Sequence, residues 1–214
     1  MIKKIIFSFC AILITGCTTT KNQLKSTENT LLSVNNKNTG KICTLYPNKQ
    51  KIKTFGTLIN GKLQGQYLEY SENGIPLLIT NYKNGKQYGS AKKYYSNGNI
   101  HIKGSMKEDL AHGKFVFFYK DGERQSIKNF KDGIYDGYYM EFYPNGAIKI
   151  KGNYEAGYKN GIFSYYNDDG IKMQEGQYLK GIRYGVWNNF DVSGKITSSI
   201  NYKDKGYITP EDKI

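Results

Sequence analysis

Glycine returns every 24 residues without a slip: Gly65, Gly89, Gly113, Gly137, Gly161 and Gly185 form one column, and Gly74, Gly98, Gly122, Gly146, Gly170 and Gly194 form another. A fixed period of this kind marks a repeat protein, in which each small supersecondary unit buries its apolar side against its neighbours. Function is therefore expected on an extended stacked surface and not in one deep cleft.

Each unit reads as two short strands and two turns. In the first, Gln66 to Ser71 forms a strand, Glu72-Asn73-Gly74 a turn, Ile75 to Tyr82 a second strand, and Lys83-Asn84-Gly85 the turn into the next unit. Glycine in the second column supplies the positive φ that tight hairpins require. Two aromatic columns keep the same period: Tyr70, Tyr94, Phe118, Phe142, Tyr166 and Phe190 in one, and Tyr82, Phe130, Tyr154, Tyr178 and Tyr202 in the other, interrupted by Met106. Gly104, Gly152 and Gly176 lie two residues before the second column, which leaves room for a ring from an adjacent strand to lie over bare backbone.

Alternation separates two faces. Ile100, Ile102, Ile148 and Ile150 fall with the aromatic column, whereas His101, Lys103, Lys149 and Lys151 fall with an amide ladder of Asn81, Asn129, Asn153, Gln177 and Asn201. Twenty tyrosines suit a sheet that is wet on at least one side better than a dry aliphatic core. The adjacent aromatic columns also imply a β-bulge whose position the spacing does not give. The expected fold is all-β: an elongated single-layer antiparallel sheet of about six 24-residue hairpin repeats.

The stretch Gly152-Asn153-Tyr154-Glu155-Ala156-Gly157-Tyr158-Lys159-Asn160-Gly161, followed by Tyr165-Tyr166 and Asp169-Gly170, resembles a MORN repeat. The bacterial variant of that family occurs in chains labelled YwqK-type antitoxins. The resemblance implies consecutive β-hairpins in one twisted antiparallel sheet, together with membrane proximity, phospholipid contact and protein scaffolding. Asp109 stands where the third unit should have its first glycine, Ala91 breaks an aromatic column, and Trp187 is the only tryptophan.

Ahead of the repeats, a basic start (Lys3, Lys4) and an apolar run from Ile5 to Ile14 close on Ile14-Thr15-Gly16-Cys17. The run is too short to span a membrane as a helix. Its closing tetrad resembles the lipobox of bacterial lipoproteins, which implies a cleaved signal peptide over 1–16 and a diacylglycerol thioether on Cys17. The polar segment after it reads as a lipid-anchored flexible tether over 17–45, followed by the repeat domain over 46–203 and a polar tail over 204–214. Cys43 is then the one thiol left, so no intramolecular disulfide is possible. Removing Lys3 and Lys4 leaves 29 of 31 basic residues against 18 acidic ones, a net charge of +11. That balance attracts anionic partners, and export argues against nucleic acid.

No catalytic constellation emerges. His101 and His112 stand eleven apart without a zinc-binding pattern, and Asp168-Asp169 occupies a turn position. Neither an enzyme nor a cofactor is expected. Where the units differ, Tyr95, Tyr119 and Tyr143 fall side by side, and with Lys103, Lys149 and Lys151 they form the candidate binding residues. The expected protein is a lipoprotein of the cell envelope, on the outer membrane where there are two membranes. It would bind or scaffold a protein or an anionic envelope component. The alternative is an antitoxin or immunity protein that occupies a partner toxin. The oligomeric state stays open.

Overall fold

A computed structural model describes residues 30–34, 38–47 and 51–202, with side chains for the last two stretches. Cys17, the leader and the tail lie outside these residues. The chain falls into two compact units divided between Gly98 and Asn99, and all the regular structure among the described residues is β.

The first unit holds β1 (Thr30–Val34), β2 (Gly40–Leu45), β3 (Ile52–Ile59), β4 (Lys62–Leu63), β5 (Gly65–Tyr70), β6 (Pro76–Lys83) and β7 (Lys86–Tyr94). It is an antiparallel meander in which β3 pairs with both β4 and β5. The second unit holds β8 (Ile100–Lys107), β9 (Leu110–Ala111), β10 (Gly113–Phe118), β11 (Arg124–Lys131), β12 (Ile134–Phe142), β13 (Ile148–Glu155), β14 (Tyr158–Tyr166), β15 (Lys172–Leu179), β16 (Ile182–Phe190) and β17 (Ile196–Asn201). It is an antiparallel meander too, with β8 pairing to both β9 and β10.

Sheet begins earlier than the tether boundary at residue 45 allows. Strand β2 pairs with β3 from Gly40 to Leu45, and Cys43 within it is fully buried. The polar composition of the preceding residues hides a strand whose apolar members, Ile42, Cys43 and Leu45, are few but correctly spaced against β3.

The two glycine columns solve different problems. Gly74, Gly98, Gly122, Gly146, Gly170 and Gly194 close the turns at positive φ, as the spacing predicts. The column of Gly137 and Gly161 sits at positive φ inside the first strand of each hairpin. There, two extra residues are accommodated between Tyr135 and Tyr139 opposite Lys128 to Phe130. A second register shift lies at the far end of each hairpin, between Glu141 and Phe142 and between Tyr165 and Tyr166, where the second strand carries one extra residue. This is the bulge that the adjacent aromatic columns imply. It changes one face assignment: Ile148 packs against the cluster of Val116, Ile127 and Phe142, not with the ring column.

The core of the second unit is a ladder of rings. Phe115, Phe130, Tyr135, Tyr154, Phe163, Tyr178, Trp187 and Tyr202 follow one another with successive centroids about 5–6 Å apart, mostly edge to face. Phe163 is fully buried and Trp187 nearly so. Both depend on glycine: a Cβ on Gly152 would lie 2.6 Å from Phe163, and one on Gly176 would lie 2.2 Å from Trp187.

Candidate binding surface

The register places Phe115, Lys128, Tyr139, Phe163 and Trp187 on one face, and Lys103, Val116, Ile127, Met140, Lys151, Ser164 and Glu175 on the other. The first is called here the ring face and the second the amide face.

Of the candidate tyrosines, Tyr119 and Tyr143 are half-buried, and each spends its hydroxyl inside the fold. Tyr119 donates to the carbonyl of Phe142 and Tyr143 to that of Tyr166, both at 2.9 Å, so each ties one repeat to the next. Tyr46 makes the same bond to Tyr70 at 2.7 Å. Tyr95 is likewise half-buried. The candidate lysines are exposed at the backbone register but fold over rings: Lys103 lies over Phe118, Lys149 over Tyr143 and Lys151 over Tyr166, at 5.3–5.5 Å. A hydrogen bond to Tyr166 holds the Lys151 ammonium above its ordinary range. The amide face also carries a paired cation, with Lys172 Nζ 2.7 Å from Glu175.

The ring face carries cations that sequence spacing did not single out. Lys128 occupies the column in which Gly104, Gly152 and Gly176 stand, and its ammonium lies 5.1, 5.6 and 5.5 Å from the rings of Phe117, Tyr135 and Tyr139. Lys159 and Arg183 occupy the column of Tyr135. Lys159 lies 5.1, 5.8 and 4.8 Å from Phe163, Tyr165 and Tyr178, and the Arg183 guanidinium is 4.1 Å from Trp187. All three cations are half-buried. Among the described residues the ion pairs are His112 with Asp132 and Lys172 with Glu175, so none of the three meets a carboxylate at ion-pair distance.

Rings and cations shift one another's protonation. Burial first, and then the hydrogen bond to Glu141, push the Tyr139 phenol far above its ordinary value. Burial raises Tyr165 as well, reinforced by its neighbour Tyr178. Burial also acts to raise Tyr178, but hydrogen bonds with Tyr165 and Arg183 and the charge of Lys159 outweigh it and hold this phenol below its ordinary value. Among the described residues no three of His, Cys, Asp and Glu come together in a way that could hold a metal ion.

The family model of the MORN repeat variant matches residues 60–84, 87–108, 111–132 and 135–156. Four successive units of the chain thus match the MORN repeat variant. The matched stretches run from the β3–β4 turn through β13, and β14–β17 repeat their strand lengths, glycine φ values and register shifts. No curated protein matches the chain. The repeated hairpin accounts for the glycine columns and the ring ladder, whereas Lys128, Lys159 and Arg183 are features of particular repeats.

Proposed function

We propose that this chain is a non-enzymatic binding or scaffold module, held at a bacterial envelope membrane by lipid on Cys17, with the ring face of β11–β17 as its working surface. One observation carries the choice of face. Lys128, Lys159 and Arg183 stand at positions where other repeats do without a cation, and each is half-buried on rings with no carboxylate at ion-pair distance among the described residues. Partial desolvation of an unpaired charge costs stability, so a fold that needed only its ladder would gain nothing by placing cations there. Cation–π contact offsets part of that cost. The partner chemistry this surface suits is anionic, in keeping with the net positive charge of the chain.

The test is crosslinked capture from native membranes, with the wild-type lipoprotein beside a Lys128→Gln/Lys159→Gln/Arg183→Gln variant. A component recovered by the wild type and lost by the variant supports the reading. Capture of one protein toxin would identify the module as an immunity protein. An identical set recovered by both forms would remove the ring face from consideration. Cys17→Ser, which cannot carry the lipid, should move the protein from the membrane fraction to the soluble one.

A further inference from the structure

We infer that Lys159 and Arg183, converging on Tyr178, form a subsite for an oxyanion group, a phosphate or carboxylate borne by the ligand of the ring face. The inference rests on the ring face being the binding surface, and it names the chemistry read at one place on it.

The two cations stand one repeat apart, on β14 and β16, with β15 between them. Adjacent strands are spaced about 4.8 Å apart, so their backbones are separated by about 10 Å. The side chains close that gap over the intervening strand. Lys159 Nζ reaches 4.8 Å from the Tyr178 ring and 3.3 Å from the Tyr165 hydroxyl, which is itself 3.2 Å from the Tyr178 hydroxyl. From the other side Arg183, the register partner of Tyr178 on the next strand, donates to the Tyr202 hydroxyl at 2.8 Å and the Gln174 amide oxygen at 3.3 Å.

An ammonium and a guanidinium thus flank a pair of linked phenols, with no carboxylate at ion-pair distance from either cation among the described residues. An ammonium has three N–H donors and a guanidinium five. The phenol and amide contacts, one from Lys159 and two from Arg183, use fewer donors than the two groups carry. A guanidinium fork matches carboxylate and phosphate oxygens in pairs. The half-buried guanidinium lies 4.1 Å from the buried Trp187 ring and bonds Tyr202 and Gln174, contacts that orient the fork. The lowered Tyr178 phenol is a further sign of positive potential at that spot.

Trp187 is the only tryptophan of the chain and lies directly beneath Arg183, so its fluorescence reports the site. The full-length protein is titrated with inorganic pyrophosphate and, in parallel, with citrate, at ionic strength held constant with sodium chloride. Equilibrium dialysis with radiolabelled pyrophosphate serves as the readout for the Arg183 variants, whose fluorescence changes for local reasons. The expected result is saturable binding of one equivalent, weakened about tenfold or more by Lys159→Gln and by Arg183→Gln and less by Arg183→Lys. Lys103→Gln, on the opposite face, should leave it unchanged. A stronger response to pyrophosphate than to citrate assigns phosphate, and the reverse assigns carboxylate.

The inference falls if binding does not saturate up to about 10 mM, or if Lys103→Gln weakens it as much as Lys159→Gln does. It also falls if binding appears only after Asp204, Glu211 and Asp212 are neutralised, since the oxyanion would then be the chain's own. Circular dichroism of each variant confirms that the sheet is intact. Membrane capture that survives Lys159→Gln/Arg183→Gln without pyrophosphate binding would sink the subsite and spare the module. Saturable pyrophosphate binding without any membrane partner would do the opposite.

Discussion

Replacing Gly152 by alanine isolates the interaction on which the sheet depends. Gly152 has no positive φ, so alanine brings no backbone strain there. Its Cβ would, however, stand 2.6 Å from Cγ, Cδ1 and Cε1 of Phe163, about 1 Å inside ordinary carbon–carbon contact. The ring has little room to lift. It is fully buried and edged by Tyr154 at 5.8 Å and Tyr178 at 5.1 Å. Overpacking costs about 1–3 kcal/mol, and a displaced ring loosens edge contacts of about 0.5–1.5 kcal/mol each. The expected loss is about 2–4 kcal/mol.

Phe163→Ala alone should cost about 3–5 kcal/mol. With the ring gone the sign at position 152 reverses, and Gly152→Ala should stabilise that background by about 0.4–1 kcal/mol through the unfolded chain. The chain contains this exchange already: buried Thr80 stands in the glycine column, and its register partner is Ala91 in place of a ring. Urea denaturation of the four proteins of the cycle, followed by circular dichroism and Trp187 fluorescence, measures the coupling. A coupling below about 1 kcal/mol, or a destabilising Gly152→Ala in the Phe163→Ala background, would refute the ring-over-glycine argument.

Four further outcomes follow from the same geometry. Tyr119→Phe and Tyr143→Phe should each cost about 0.5–1.5 kcal/mol in urea titrations, because each removes only the hydroxyl that ties one repeat to the carbonyl of the next. Ala156→Asn should stabilise by about 0.5 kcal/mol, since Ala156 sits at φ 48° where Asn60 and Asn84 occupy the equivalent turns. For Tyr139, the phenol titrates higher in the folded protein than in the unfolded chain, so its contribution is fully present below its ordinary value of 10.0 and is lost as pH rises above it. Tyr139→Phe should therefore flatten the alkaline limb of a thermal-stability profile. Glu175 behaves oppositely: burial tends to raise its pKa, but bonds from Lys172 and Ser164 lower it. Its contribution is present above 4.5 and lost as pH falls through its folded value, and Glu175→Gln should remove that acid-limb slope.

The period, the turns and the glycines beneath Phe115, Phe163 and Trp187 were legible because each is a local demand that recurs along the chain. A positive φ accepts few residues, and a ring lying on backbone accepts one, so the letters repeat wherever the geometry does. The bulges were not placed, because the extra residues Lys149 and Met173 have no common chemistry: a bulge constrains backbone count and leaves the side chain free. For the same reason Ile148 was assigned to the wrong face. Strand β2 was missed because its neighbours are polar and its contribution is a single buried thiol and a few aliphatic contacts. Spacing shows that Tyr119 and Tyr143 align but not that their hydroxyls reach a carbonyl 23 residues on. Lys128, Lys159 and Arg183 escaped because they fall in columns dominated by glycine and aromatic residues, where a lone cation reads as drift until the structure lays it on a ring.

Lysine acylation footprinting of the protein in its native cellular setting, compared with the purified protein, tests the binding account most directly because no substitution is needed. Bound partner should slow modification of Lys128 and Lys159 while leaving Lys103, Lys149 and Lys151 at their purified rates. Unchanged rates at Lys128 and Lys159, or protection confined to Lys103, Lys149 and Lys151, would contradict the assignment of the ring face.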